Sequence, residues 1–174
     1  LYLSDASAAV ASSSVRCTKA YVATAGGAAL LTDGASAVFT DSMLAECAAQ
    51  RGGGVRLAST ATAPRGPGRL DTYAITSAPT LRLEGTNVSN CTATIAGGGV
   101  DGVGTAGLRV EIVLANSTLS DVASVDGHGG GVAVADGVLS LLGSLVERGV
   151  AGHGAAIHAS SASTVHLNGS ALTS

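Results

Sequence analysis

The residues of this chain that could do chemistry are few, and they recur in fixed company. All four asparagines, Asn87, Asn90, Asn116 and Asn168, stand in N-x-S/T triplets, as NVS, NCT, NST and NGS. That triplet is the acceptor for an N-linked glycan, which implies exposed positions on a protein that passes through a secretory compartment. Asn beside Ser or Thr is also ordinary turn chemistry, so the four occurrences are partly dependent. Glycosylation at all four is the reading carried forward. Cysteine usage bears on the same compartment. Cys47 and Cys91 each follow a bulky residue, Leu44 and Val88, by three positions and form the candidate disulfide, with Cys17, two residues after Val15, as the competitor for Cys47. The third cysteine is then either buried or linked to a neighbouring chain.

Two histidines, His128 and His153, stand immediately before glycine clusters, and Arg51 holds the same place further back. A pair of imidazoles can ligate a metal, but no third ligand joins them at recognisable spacing, and His158 and His166 are assigned to other parts of the repeat. Solvent-facing corner histidines are expected, with no metal. The glycine clusters themselves are not phosphate loops: G-x-x-x-x-G-K-[ST] needs a lysine that follows none of them, and Lys19 is the only lysine. The calcium nonapeptide G-G-x-G-x-D is not met by GGGVDGVG. No cofactor is expected. The acids scatter without pairing, and Asp in a turn usually serves the turn. Catalysis by paired carboxylates therefore has no visible centre, and an enzyme is the runner-up.

The elements that must carry these residues follow from the glycines. GGAAL ends at Leu30, GGGV at Val55, Val100 and Val132, and GAAI at Ile157, at intervals of 25, 45, 32 and 25 residues. A second signal runs beside it. Bulky residues five apart occur as Val10 and Val15, Phe39 and Leu44, Leu83 and Val88, Leu114 and Leu119, Leu141 and Val146, Leu167 and Leu172. Two residues before the second of each pair stands Ser13, Ser42, Thr86, Ser117, Ser144 or Ser170. Around the bulky residues apolar positions alternate, as in LRL, IVL, LSL and VHL, which is strand periodicity. Each unit is therefore several short strands joined by tight corners, about 25 residues around, stacked in roughly six coils about 4.8 Å apart. The expected corner residues are Gly27, Gly52, Gly53, Gly54, Gly97, Gly98, Gly99, Gly129, Gly130, Gly131 and Gly154, and the residue after each cluster turns inward. Cys47 and Cys91 then stack one coil apart, within reach of a disulfide.

The pattern GGGV…L-x-L-x-x-S-x-V…A resembles the right-handed parallel β-helix repeats of polymorphic outer membrane proteins and of the wider pectin-lyase-like superfamily. The resemblance covers nearly the whole chain. It implies an all-β, single-stranded right-handed parallel β-helix, one domain over 1–174. It leaves function open, since that superfamily includes polysaccharide lyases, adhesins and structural fibres. The sequons and the Ala and Gly bias point to a secreted protein of algal type. Composition agrees with a narrow, uniform interior: 46% of residues are hydrophobic, yet there is one Phe and no Trp. With 12% charged residues and a net charge of −3, the chain lacks the basic stripe of a nucleic-acid binder. No apolar run is long enough for a membrane-spanning helix.

Two insertions interrupt the repeat, at 58–79 and 101–107. The first holds Arg65, Arg69 and Tyr73 as candidates for a ligand or subunit contact. The second, DGVGTAG, is expected to be a glycine-rich corner. The chain starts at Leu1, in core pattern, and stops just after Leu172, with no capping helix at either end. That suggests either a slice of a longer β-helix or a subunit that stacks head to tail on copies of itself. The expectation for function is an extracellular structural glycoprotein, a building block of a surface fibre. The alternatives are a polysaccharide-binding or polysaccharide-cleaving β-helix, meeting extracellular polysaccharide, and an adhesin passenger domain.

Overall fold

The computed structural model describes residues 1–17, 24–59, 77–105 and 107–173. Every regular element among them is a β-strand. The first rung holds β1 (Tyr2–Ser4), β2 (Ser7–Ala11) and β3 (Ser14–Arg16). The second holds β4 (Ala29–Thr32), β5 (Ser36–Thr40), β6 (Met43–Ala45) and β7 (Ala48–Arg51). The third holds β8 (Val55–Ala58), β9 (Thr80–Glu84), β10 (Asn87–Ser89) and β11 (Thr92–Ala96). The fourth holds β12 (Val100–Val103), β13 (Val110–Ala115), β14 (Thr118–Ser120) and β15 (Ala123–His128). The fifth holds β16 (Val132–Ala135), β17 (Gly137–Leu142), β18 (Leu145–Glu147) and β19 (Val150–His153). The sixth holds β20 (Ile157–Ser160), β21 (Thr164–Asn168) and β22 (Ala171–Thr173).

Corresponding strands of successive rungs pair in parallel and build four faces. Sheet I is β1-β4-β8-β12-β16-β20, sheet II is β2-β5-β9-β13-β17-β21, sheet III is β3-β6-β10-β14-β18-β22, and sheet IV is β7-β11-β15-β19. The result is the expected all-β parallel solenoid, in about 5 turns of about 29 residues on average. The 25-residue estimate matches the shortest turn, Val132 to Ile157. The bulky pairs fall in register as read: Val10, Phe39, Leu83, Leu114, Leu141 and Leu167 stack in sheet II. Val15, Leu44, Val88, Leu119, Val146 and Leu172 stack in sheet III.

Two readings need correction. Leu30 is not the counterpart of Val55: Ala29 pairs with Val55 and Leu30 with Arg56. The inward residues of that strand are Ala29 and Leu31, both fully buried, because GGAAL begins its corner one residue earlier than was read. The second correction concerns 101–107. Asp101, Gly102 and Val103 continue β12 in register with β8 and β16, so the interruption starts only at Gly104. Gly102 faces inward, and a Cβ there would lie 2.7 Å from Ile112 Cδ1. The isoleucine fills the space that the glycine leaves, which keeps the core dense.

Among the described residues most corners turn on a residue in the left-handed region at the same place in rung after rung, and the corner at Asp33 uses Gly34 as well. After sheet I these are Asp5, Asp33, Asp136 and Ser161; after sheet II, Ser12, Asp41, Gly85, Asn116, Gly143 and Gly169. After sheet III they are Glu46, Asn90, Asp121 and Arg148; after sheet IV, Gly26, Gly52, Gly97, Gly129 and Gly154. Their φ values run from 44° to 66°. Asp and Asn tolerate this region better than most residues, which accounts for many of the scattered acids as turn chemistry. At the glycine corner only the first glycine needs the positive φ. The second is required by contact: a Cβ on Gly98 would lie 2.4 Å from Gly130 O and 2.5 Å from Ala123 N.

The Ser/Thr column has a separate cause. Each hydroxyl follows the left-handed residue of the sheet II corner and donates to the carbonyl two residues back, as Ser117 Oγ does to Ala115 O at 3.0 Å. It also accepts the N–H of its counterpart one rung away. Ser13 N donates to Ser42, Ser42 to Thr86, Thr86 to Ser117, Ser117 to Ser144 and Ser144 to Ser170, at 3.0–3.4 Å. The hydroxyls supply an acceptor where the bend carries the N–H out of reach of the next carbonyl. Ser117→Ala orphans the buried Thr86 N–H and is expected to cost about 1–3 kcal/mol in urea unfolding. Ser13→Ala, whose hydroxyl accepts from no preceding rung among the described residues, is expected to cost under about 0.5 kcal/mol.

Candidate site at the glycine corner

Register brings chemistry together along one edge of the rod, where sheet IV meets sheet I. The residue before each glycine cluster stacks as Arg51, Ala96, His128 and His153. Two positions into the following corner strand, an outward column reads Leu30, Arg56, Asp101, Ala133 and His158. The corner folds the two columns against each other. The outcome is a stripe with a guanidinium–carboxylate group in the lower rungs and an imidazole group in the upper ones.

Asp101 is the buried member, with its side chain 2% exposed. Arg51 Nη1 and Arg56 Nε stand 3.7 and 3.8 Å from its Oδ2. Those are ion-pair distances but not hydrogen bonds, and Asp101 Oδ2 and Arg56 Nε have no hydrogen-bond partner among the described residues. Burial pushes the Asp101 carboxyl up to about 6, against the opposing pull of Arg56 and then Arg51. Burial likewise pulls Arg56 below the usual guanidinium value, with Asp101 opposing it. Desolvation thus outweighs attraction on both partners, as expected for an ion pair withdrawn from water without close hydrogen bonds. With its carboxylate buried, Asp101 is held between the two arginines.

The imidazoles correct the expectation for His158. Its ring stacks on His128 at 4.4 Å between centroids and 27° between planes. His128 stacks on His153 at 5.1 Å and 23°. Counting along the repeat placed His158 elsewhere because it lies beyond the corner; folding of the corner returns it to the same edge. His166 lies in β21 on sheet II, apart from the trio. Among the described residues no group of three His, Cys, Asp or Glu is arranged to hold a metal ion.

The candidate disulfide is also corrected. Cys17 bonds Cys47, with Cα atoms 4.7 Å apart, and Cys91 is free and buried. Cys47 and Cys91 do stack, since β6–β7 and β10–β11 share one register on either side of them. In-register parallel neighbours project their side chains in parallel, whereas a disulfide needs them to converge. Cys17 occupies the place that Glu46 takes one rung on, so it meets Cys47 out of step. The Cys91 thiol is directed at Ser89 O at 3.3 Å, and burial pushes it up to about 11.

All four sequon asparagines are exposed. Asn87 and Asn168 lie on strands, while Asn90 and Asn116 occupy left-handed corners, where backbone demand alone favours Asn. Arg65, Arg69 and Tyr73 lie outside the described residues, and the expectation of a contact there stands as an expectation.

Two measurements check this geometry. Peptide mapping without reductant is expected to join Cys17 to Cys47, and the native protein to leave Cys91 unlabelled by iodoacetamide until it is unfolded. Reducing the bridge, which spans 30 residues, is expected to lower stability by roughly 3–4 kcal/mol. For Asp101 the folded state keeps a proton that the unfolded state releases, so its contribution is present at pH 4 and lost as pH rises through 6. Relative to Asp101→Asn, the native protein is expected to lose up to roughly 3 kcal/mol of unfolding free energy between pH 4 and 7.

Comparison with protein-family models, with curated proteins and with solved structures finds no match to this chain. The fold is a parallel β-solenoid.

Proposed function

We propose that this chain is a structural element of an extracellular surface, a stiff β-rod that lengthens by coil-on-coil pairing with further copies. The observation that carries this reading is the repeated register of the columns. Phe39, Leu83, Leu114 and Leu141 in one, and Leu44, Val88, Leu119 and Val146 in another, are buried by rungs that follow the same path. A copy laid on in that register would continue the backbone and hydroxyl ladders. Exposed asparagines on the lateral faces supply attachment points for glycans that keep rods from pairing side by side, and a disulfide between rungs suits an oxidising compartment. The likeness of the repeat to β-helix repeats of polymorphic outer membrane and pectin-lyase-like proteins, among which structural fibres occur, agrees with this work.

Electron cryo-microscopy of the material from its natural source tests the reading. Filaments are expected in which the 4.8 Å strand spacing runs unbroken across subunit boundaries, each chain adding about 29 Å for six rungs. Sugar density is expected at Asn87 and Asn168, where no corner geometry explains the asparagine. Discrete particles at high concentration, with bare asparagines, would overturn it, and cleavage of an acidic polysaccharide by such particles would establish the enzymatic alternative.

A further inference from the structure

Three imidazoles on three strands meet at one corner without a counter-charge. His128 closes β15, His153 closes β19 one rung on, and His158 follows across the corner in β20. The His128 ring is the middle of the stack, 5.1 Å from His153 and 4.4 Å from His158. The charged groups on the neighbouring strands are few. β11 and β16, which pair with these strands, carry none, and β15 carries Asp126. Glu147 and Arg148, just before β19, pair with each other, and Arg148 also holds Asp121. Asp101 in β12 is held by Arg51 and Arg56. Among the described residues no ion pair joins any of the three imidazoles to a carboxylate.

We infer that this stack is an acid-sensitive latch: neutral rings fasten β19 and β20 onto β15 and β16, and protonated rings repel and release them. Uncharged, the imidazoles bury ring surface against each other; charged, they place like charges within 4.4 and 5.1 Å along the seam between two rungs. Burial, and then the charges of His128 and His153, hold His158 below the ordinary imidazole value. A detached strand therefore takes up a proton more readily than the stacked one. The stabilisation from the latch is complete above about pH 6.5 and is lost as pH falls through that value toward the depressed one. Asp101 responds in the opposite sense, since acid relieves its burial, so the rungs around β8 and β12 are not weakened with the latch. Release at the seam uncovers Val132, which pairs with Ile157 of β20 and is fully buried when it is closed.

Hydrogen exchange on the whole 174-residue chain, at pH 7.5 and 5.0 and corrected for intrinsic rates, tests the latch. Amides of β19 and β20 are expected to exchange severalfold faster in acid relative to those of β12, since charged rings favour the open seam. His158→Gln and His128→Gln are expected to abolish that difference, and His166→Gln to retain it. Uniform acceleration of all rungs, or unchanged acid response in both stack variants, would overturn the inference. Should the variants not fold, ring-proton titration of the native chain decides: His158 titrating at the free-imidazole value removes the basis for the latch.

Discussion

Parallel pairing in register is the constraint on which everything else in this molecule depends. A strand can hydrogen-bond its copies on both sides only if each rung repeats the path of the last, so every bend must occur at the same place. The chain meets that demand with left-handed residues recurring at the four corners and with glycine where backbones crowd. The hydroxyl column meets the one hydrogen-bonding need that a bend creates. An interior of repeated shape then selects repeated side chains: Leu, Val and Ala fill the same columns, and Phe39 is the single aromatic in its stack. The scarcity of aromatics and of charge follows from this geometry.

Much of this was legible because a stacked repeat writes each structural requirement several times. The five-residue spacing of bulky residues and the Ser/Thr column were read correctly, since six copies average out local noise. The misreadings fall where copies differ. GGAAL replaces one cluster glycine by alanine and begins its corner one residue earlier, so Leu30 was put in the place of Ala29. Asp101 follows a valine that ends a cluster, and its neighbouring glycines disguised a strand as a loop. Cys17 stands two residues after Val15 where Cys47 stands three after Leu44, so counting ranked it as a competitor for Cys47 behind the in-step Cys91. His158 and His153 are five residues apart in sequence, and only the corner brings their rings onto one edge.

The same register that orders the core also collects polar residues into stripes, with or without a use for them. A residue tolerated at one outward position has its nearest neighbours in other rungs, not in its own strand. Arg56 reaches Asp101 from the rung before it and Arg51 from the end of the rung before that, and His128 reaches both His153 and His158. Four of the six ion pairs among the described residues join different rungs, so charge pairing here is read mostly down columns. This is why the acids looked scattered along the chain while several of them have partners in space.

The bridge between Cys17 and Cys47 gives the rod a direction. Rungs that touch only their neighbours come apart from the ends inward, one interface at a time. A covalent tie between the first and second rungs keeps that one interface from opening, since β3 cannot leave β6 and β7 while Cys17 is held. The other described interfaces rest on hydrogen bonds and packing alone. A molecule whose backbone is nearly the same at every level is thus made uneven along its length by one bond.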